Sequence, residues 1–343
     1  MKLKDKITLV IPTFNRYEKL FRLLQYYDSF GFPFPIKILD SSTNKKKQQE
    51  LISLLQNENI EYKEFDCGIR VVEKICMGVS SVQTPFSAIC ADDDFLVPNG
   101  IVQSIKFLEK NSEYSVAQGI YVSFFDNLDK IKGLEWRKTY NIRSIEQKLP
   151  SERFYNFLSD YSMTVFYGVY RTEHLNFIWE TASRETNDDR FGELLPAMLT
   201  ATAGKIKALN VLYSARQIDI QSDGNTSLTL RDMIHNRTYY YKFNKFKVCM
   251  IANLQKTECI SYKNANKIVD KAMDNYLGSI TYKIKTFLLL IIEKSFLLNK
   301  FYKAFNKSNK KNDFSLFEYE NLENPFHSDL IHIEQTIKNN LAL

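Results

Sequence analysis

The chain has 343 residues, 44% of them hydrophobic and 25% charged, the profile of a soluble globular protein with a sizeable core and an appendage. Its 46 basic and 40 acidic residues leave a net charge of +6, too mild to mark a nucleic-acid-binding surface. Five cysteines without a CxxC pair read as reduced, largely buried thiols. With no run near ~18 apolar residues and no signal core at the N-terminus, the expectation is a cytoplasmic chain.

Residues 7–11 (ITLVI) are a β-branched run stopping at Pro12, the pattern of a strand buried on both faces. Thr13, Phe14 and Asn15 turn the chain. Asn15 with Glu18 three residues on reads as a capping-box variant, and Leu20, Leu23, Leu24 and Tyr27 give the helix its apolar face. Gly31, Pro33 and Pro35 break it, and residues 36–39 form a second strand ending in Asp40. A helix over 46–56, a strand over 60–65 and a helix over 71–80 follow. Then comes SAICADDDFLVP, residues 87–98: a short buried strand with Asp92, Asp93 and Asp94 at its end. Strands alternating with helices mean βαβ units, right-handed crossovers and a parallel sheet.

Beyond Pro98 a helix leads into a strand over 115–125. Residues 126–150 lack a clear period and read as a loop or insertion. A helix over 151–161, a strand over 164–170 and a helix from Thr172 precede the acidic turn Asn187-Asp188-Asp189. A helix over 191–203 closes at Gly204, and a strand over 206–213 runs towards Arg216. Loop chemistry at 222–227 (SDGNTS) sets a boundary. Residues 1–225 are then an α/β domain and 226–343 a mostly helical, Lys-, Asn- and Tyr-rich region.

In an open α/β sheet, ligands bind beyond the carboxyl ends of the strands. Three adjacent acids there repel one another unless they are solvated or a cation sits among them. An acidic turn capping the next helix is the plain structural alternative. No GxxxxGKS offers a P-loop, and no HExxH or Cys/His cluster offers a zinc site. Of the four histidines, His235 follows the loop after the last strand, and the use of a late histidine as an extra metal ligand in related folds makes it a candidate.

VIPTFNR after the first strand, CADDDF after the central one and RFGELLP at the late helix together resemble the inverting family-2 glycosyltransferases. The match is to the bacterial surface-polysaccharide type and spans roughly residues 7–217. The resemblance implies a GT-A fold, a Rossmann-like, mostly parallel sheet flanked by helices. It implies a nucleoside diphosphate sugar donor, UDP-linked above all, Mn²⁺ or Mg²⁺, and a hydroxyl of a cell-surface glycan or lipid-linked precursor as acceptor. Carried over, Pro12, Thr13, Asn15 and Arg16 belong to the nucleotide-binding first loop, Asp40 to the base and Lys74 to base and phosphate. Asp92 contacts ribose or the metal shell and Asp94, with Asp92, binds the cation; Asp93/Asp94 fits the motif as Asp92/Asp94 does, so Asp93 is the alternative to Asp92, and Arg216 aids the diphosphate. The general base falls in the acidic turn, Asp189 before Asp188 before Glu193. Acids at a helix start are also favoured caps, and the turn departs from the family's commoner glutamate-aspartate pair.

Two other readings stand beside this one. A nucleotidyltransferase of related fold would also use acids and a cation, but VIPTFNR lacks that class's glycines. An inactive nucleotide-sugar binding module is the non-enzyme alternative, against which the intact Asp92–Asp94 run counts. Residues 283–311 carry eight lysines against one acid, Glu293, around apolar runs at 287–292 and 296–298. That composition suits either a peripheral helix at the inner face of the cell membrane or a helix docked on the catalytic domain.

Overall fold

The computed structural model describes residues 2–44, 47, 49–126, 134–140, 143–159, 165–186, 189–218, 237–277 and 326–341. Strand β1 (Ile7–Thr13) lies at the centre, parallel to β2 (Ile36–Asp40) on one side and β4 (Phe86–Ile89) on the other. Its β-branched run supplies alternating faces: Ile7, Leu9 and Ile11 enter one hydrophobic core and Val10 the opposite one, the two-residue period of a strand covered on both sides. β3 (Ile60–Glu64) extends the parallel set outward.

Helix α1 (Tyr17–Asp28) and α2 (Gln49–Leu55) cross over on the first face, and α3 (Val71–Ser80) returns the chain across the second. The chain thus leaves β1 in one direction and reaches β4 from the other. The gap between the ends of β1 and β4 is a topological switch point, where α/β sheets open a ligand crevice.

The rest of the sheet is mixed, where the sequence pattern predicts a mostly parallel one. Beyond β4 the order runs β8 (Val169–Arg171), β6 (Tyr114–Asp126), β9 (Lys205–Gln217) and β5 (Phe95–Leu96). β8 is antiparallel to both neighbours, β9 is parallel to β6, and β5 is antiparallel to β9. Residues 134–140, expected to be loop, form β7 (Leu134–Tyr140), antiparallel on β6. Trp136 is its buried anchor, and charged neighbours hide the alternation. β9 continues past Tyr213 to Gln217 because its last residues pair with β5 and β6, a tertiary effect.

Helices α4 (Pro98–Lys110), α5 (Pro150–Ser159), α6 (Thr172–Glu185) and α7 (Asp189–Ala203) complete the α/β part. α8 (Arg237–Glu258) and α9 (Tyr262–Leu277) pack on the second face through Phe246, Met250, Leu254, Val269 and Met273. α10 (His327–Leu341) packs on the first face through Leu330, Ile333 and Ile337. The expected boundary at 225, His235, and the basic segment 283–311 lie outside the described residues. No helix of the described residues is long and apolar enough to cross a membrane. Of the five thiols only Cys90 is fully buried, and Cys67 and Cys259 are exposed, correcting the expectation of a largely buried set.

Candidate active site

The loop after β1 is built by Asn15, which takes the left-handed conformation at φ 56°. Asparagine tolerates that region because its short polar side chain bonds locally. Here Oδ1 accepts from the Thr43 N–H at 3.0 Å and from its hydroxyl at 3.1 Å, while the Asn15 N–H donates to Ser42 Oγ at 2.8 Å. Asn15 therefore clips the first loop to the second instead of capping α1. Arg16 takes the N-cap position without a side-chain cap bond.

That clip aims Thr13 and Arg16 at the acids beyond β4. Thr13 Oγ1 donates to Asp92 Oδ2 at 2.7 Å. Arg16 Nη1 bridges Asp92 Oδ1 at 3.2 Å and Asp93 Oδ2 at 2.7 Å. Lys19, one turn into α1, sits 3.6 Å from the same Asp93 oxygen. From the other half of the sheet, the end of β9 meets Asp94: the Gln217 N–H donates to Oδ1 at 2.9 Å, and Arg216 Nε reaches Oδ2 at 3.3 Å. Arg216 also lies 5.1 Å over the Tyr167 ring. Arg22 is buried below, donating to the Asp93 carbonyl at 3.1 Å and to Gln217 Oε1 at 2.8 Å.

Burial governs the charge state of the acids. It pushes Asp92 up to about 6, helped by Asp93 and opposed by Arg16 and Thr13. It pushes Asp94 up as well, beyond what the Arg216 charge and the Gln217 N–H recover. Both carboxylates would gain from further positive charge, and hard oxygen donors suit Mg²⁺ or Mn²⁺. The chemistry therefore fits a divalent cation at Asp94 and Asp92. Their oxygens are nonetheless spoken for by Thr13, Arg16, Arg216 and Gln217, and among the described residues no three His, Cys, Asp or Glu converge as a ready metal centre.

Two expected donor-binding residues are tied up internally. Asp40 is wholly buried, and its carboxylate accepts from the Ser42 N–H at 2.7 Å, from the Tyr17 hydroxyl at 2.7 Å and from the Tyr62 hydroxyl. Burial alone would raise this carboxyl, but those bonds outweigh it and hold it below the usual carboxylate range. Lys74 Nζ donates to the Thr13 carbonyl at 2.8 Å and to Ser41 Oγ at 2.7 Å, strapping the ends of β1 and β2 together. Both residues shape the crevice floor. Pro12 is half-buried between the buried Ile11 and Thr13.

The end of α6, which precedes the acidic turn in the chain, is tied to the helix that carries Lys74. Arg70, directly before α3, donates to the carbonyls of Ser183 and Thr186 at the end of α6, and Lys74 one turn on contacts Thr13. Asp189 opens α7; its side chain, and Asp188 altogether, lie outside the described residues. Glu193 is exposed one turn further. Lys19, Arg22, Tyr17 and Tyr62 are site residues that the sequence reading misses. Arg22 alone left a signal, an arginine on the helix stripe between Leu20 and Leu23.

No family model matches the chain, and no curated protein does. Among solved structures, S. aureus TarS 1–349 in complex with UDP is similar at a TM-score of 0.52 and 12% identity, covering 80% of this chain and 72% of that one. The same TarS fragment in complex with UDP-GlcNAc gives 0.47 and 12%, over 79% and 89%. A further S. aureus TarS structure gives 0.42 and 11%, with 79% of this chain covering 54% of that one. The first of these likenesses shows the fold: the chain has a GT-A-like α/β fold, with helices following it.

Proposed function

We propose that the chain is a glycosyltransferase that takes a sugar from a nucleoside diphosphate sugar, with UDP as the carrier, and transfers it with inversion to a hydroxyl of a cell-surface glycan or lipid-linked precursor. One observation carries the reading. At the switch point of a fold shared with a UDP-complexed glycosyltransferase, three strand-end acids meet guanidinium groups from both halves of the sheet. Guanidinium forks suit phosphate oxygens, so Arg16 and Arg216 hold the diphosphate. Thr13 and the Lys74 strap fix the loop on which it rests. Asp94 and Asp92 are the residues that would hold a divalent cation, which when bound supplies Lewis-acid stabilisation of the leaving diphosphate.

Asp189 accepts the proton of the acceptor hydroxyl as its oxygen attacks the anomeric carbon from the side opposite the nucleotide. The first turn of α7 favours a negative charge at this position. Asp188 and Glu193 are the flanking candidates. Calorimetric titration with UDP, UDP-GlcNAc and GDP, each with and without Mn²⁺, tests the reading. UDP binding that Asp94→Ala abolishes is expected; no binding of any nucleotide diphosphate would overturn it.

A further inference from the structure

The cations of this site form its outer layer. The side chains of Asp92 and Asp94 are 5% and 4% exposed, whereas those of Arg16 and Arg216 are 40% and 38% exposed. Each guanidinium thus stands between a buried carboxylate and the open face of the crevice. Three acids face three ion-paired basic groups, Arg16, Lys19 and Arg216, with Arg22 buried below them, so the charge of the acids is already compensated.

The two contacts on Asp94 differ in kind. The Gln217 N–H belongs to the main chain of β9 and cannot leave Oδ1 without moving the strand. Arg216 reaches Oδ2 through one nitrogen at 3.3 Å, from a partly exposed side chain that leans on the Tyr167 ring and can turn about its own torsions. A divalent ion meeting acids already compensated in this way must evict a guanidinium to reach oxygen. A diphosphate brings two or more negative charges and competes for the same guanidiniums. Once Arg216 turns to phosphate, Asp94 becomes a buried carboxylate short of a counter-charge, which is costly. A cation then has both the space and the charge deficit it needs.

We propose that Arg216 is an internal stand-in for the cation: it occupies Asp94 until a diphosphate draws it away, so that cation and diphosphate bind as a coupled pair and neither binds strongly alone. The inference rests on the nucleotide-sugar reading above. Because such coupling is reciprocal, each partner raises the affinity of the other by the same factor.

The experiment is a Mn²⁺ titration of the full chain, alone and at saturating UDP, followed by electron paramagnetic resonance of the unbound ion, for the parent and Arg216→Gln. The parent is expected to bind Mn²⁺ about tenfold or more tightly once UDP is present, within the usual range of coupling between two sites. Arg216→Gln is expected to bind Mn²⁺ alone more tightly than the parent does, by a similar factor, while its UDP affinity falls. Arg216→Lys, which keeps the charge, should retain the parent's weak binding of the ion alone. Equal Mn²⁺ affinity of the parent with and without UDP overturns the proposal, as does an Arg216→Gln variant that gains none; UDP binding in those same titrations would leave the nucleotide reading standing. The parent's coupling is read without any substitution, so a variant that fails to fold does not shelter the idea. Failure of UDP to bind under any condition overturns both.

Discussion

At the scale of single residues, Arg22 has the most to lose. It is 6% exposed, its guanidinium lies 5.2 Å from the Phe95 ring and 5.9 Å from that of Phe124, and it joins α1, the acid turn and β9 through two acceptors. Hydrogen bonds to charged groups contribute about 1.5–3 kcal/mol, and stripping the donor leaves buried acceptors unpaired. Arg22→Met should therefore lose at least ~1.5 kcal/mol of stability in urea denaturation. Arg22→Lys should recover only part of that, since a more strongly hydrated ammonium forfeits the planar guanidinium's contact with the Phe95 and Phe124 rings. UDP affinity should fall in both, because Gln217 and Asp93 lose their common anchor; unchanged melts would show that the anchor is dispensable. Asp189 invites a different comparison. Asp189→Asn cannot take a proton, so a general base there predicts a fall in single-turnover sugar transfer of roughly 10²–10⁴-fold at unchanged UDP affinity. If Asp189 serves only the helix start, asparagine caps as well, and transfer survives. Asp188→Asn and Glu193→Gln then locate the base.

Elements act on the site through their packing, and α4 on β9 is the clearest case. A Cβ at Gly100 would lie 2.5 Å from the Leu212 carbonyl oxygen and 2.9 Å from the Tyr213 Cα. Backbone atoms cannot yield as a side chain does, so Gly100→Ala has to push α4 off the strand that delivers Arg216 and Gln217 to Asp94. Overpacking of this kind costs about 1–3 kcal/mol. At Gly78 the nearest atoms belong to the Leu39 side chain, which can change rotamer, so Gly78→Ala should cost less. Thermal melts of the two variants with UDP titrations check the order, and an equal cost at both sites would refute the backbone argument. The same elements mark what was legible in the sequence. β1, α1 and α3 announce themselves because strong periods there are bounded by Pro12 and breakers, and the acids beyond β4 stand out because three carboxylates at a strand end demand a reason. β7 was hidden, since Trp136 is flanked by Glu135 and Arg137. Asp40 was legible as an acid at a strand end and Lys74 through the family resemblance, but neither as a residue whose hydrogen bonds are already made. Their partners Tyr17, Tyr62, Ser41 and Thr13 come from separate elements, which only the fold brings together.

Over the whole molecule, the sheet is covered on both faces, and the segments after β9 divide between them. α8 and α9 complete the face shared with α5, α6 and α7, and the Glu258 carboxylate at the end of α8 accepts from the Ser151 N–H and hydroxyl at 2.8 and 2.9 Å, fixing the start of α5. α10 lies on the other face, against α1 and β7. There His332 Nε2 and Ser29 Oγ are 2.6 Å apart, and the imidazole lies 4.7 Å from the Phe30 ring. Phe326, Leu330, Ile333 and Ile337 are each at most 8% exposed and belong to the same core as β1 and α1. Burying a large apolar side chain contributes roughly 1.5–3 kcal/mol, so these four supply of the order of 6–12 kcal/mol, an upper bound set against an extended unfolded chain. A domain's entire stability is only about 5–15 kcal/mol. Removal of residues 326–343 should therefore leave a chain that is insoluble or melts far below the parent, although no residue of the proposed site is deleted. Ile333→Ala, which leaves the helix in place, should cost about 2–5 kcal/mol while UDP affinity, measured on the fraction that is folded, stays at the parent's value. That pairing separates a structural helix from a functional one. A truncated chain that melts at the parent's temperature would mean that α10 is not part of the core, and a loss of UDP binding in folded Ile333→Ala would place it in the machinery of the site.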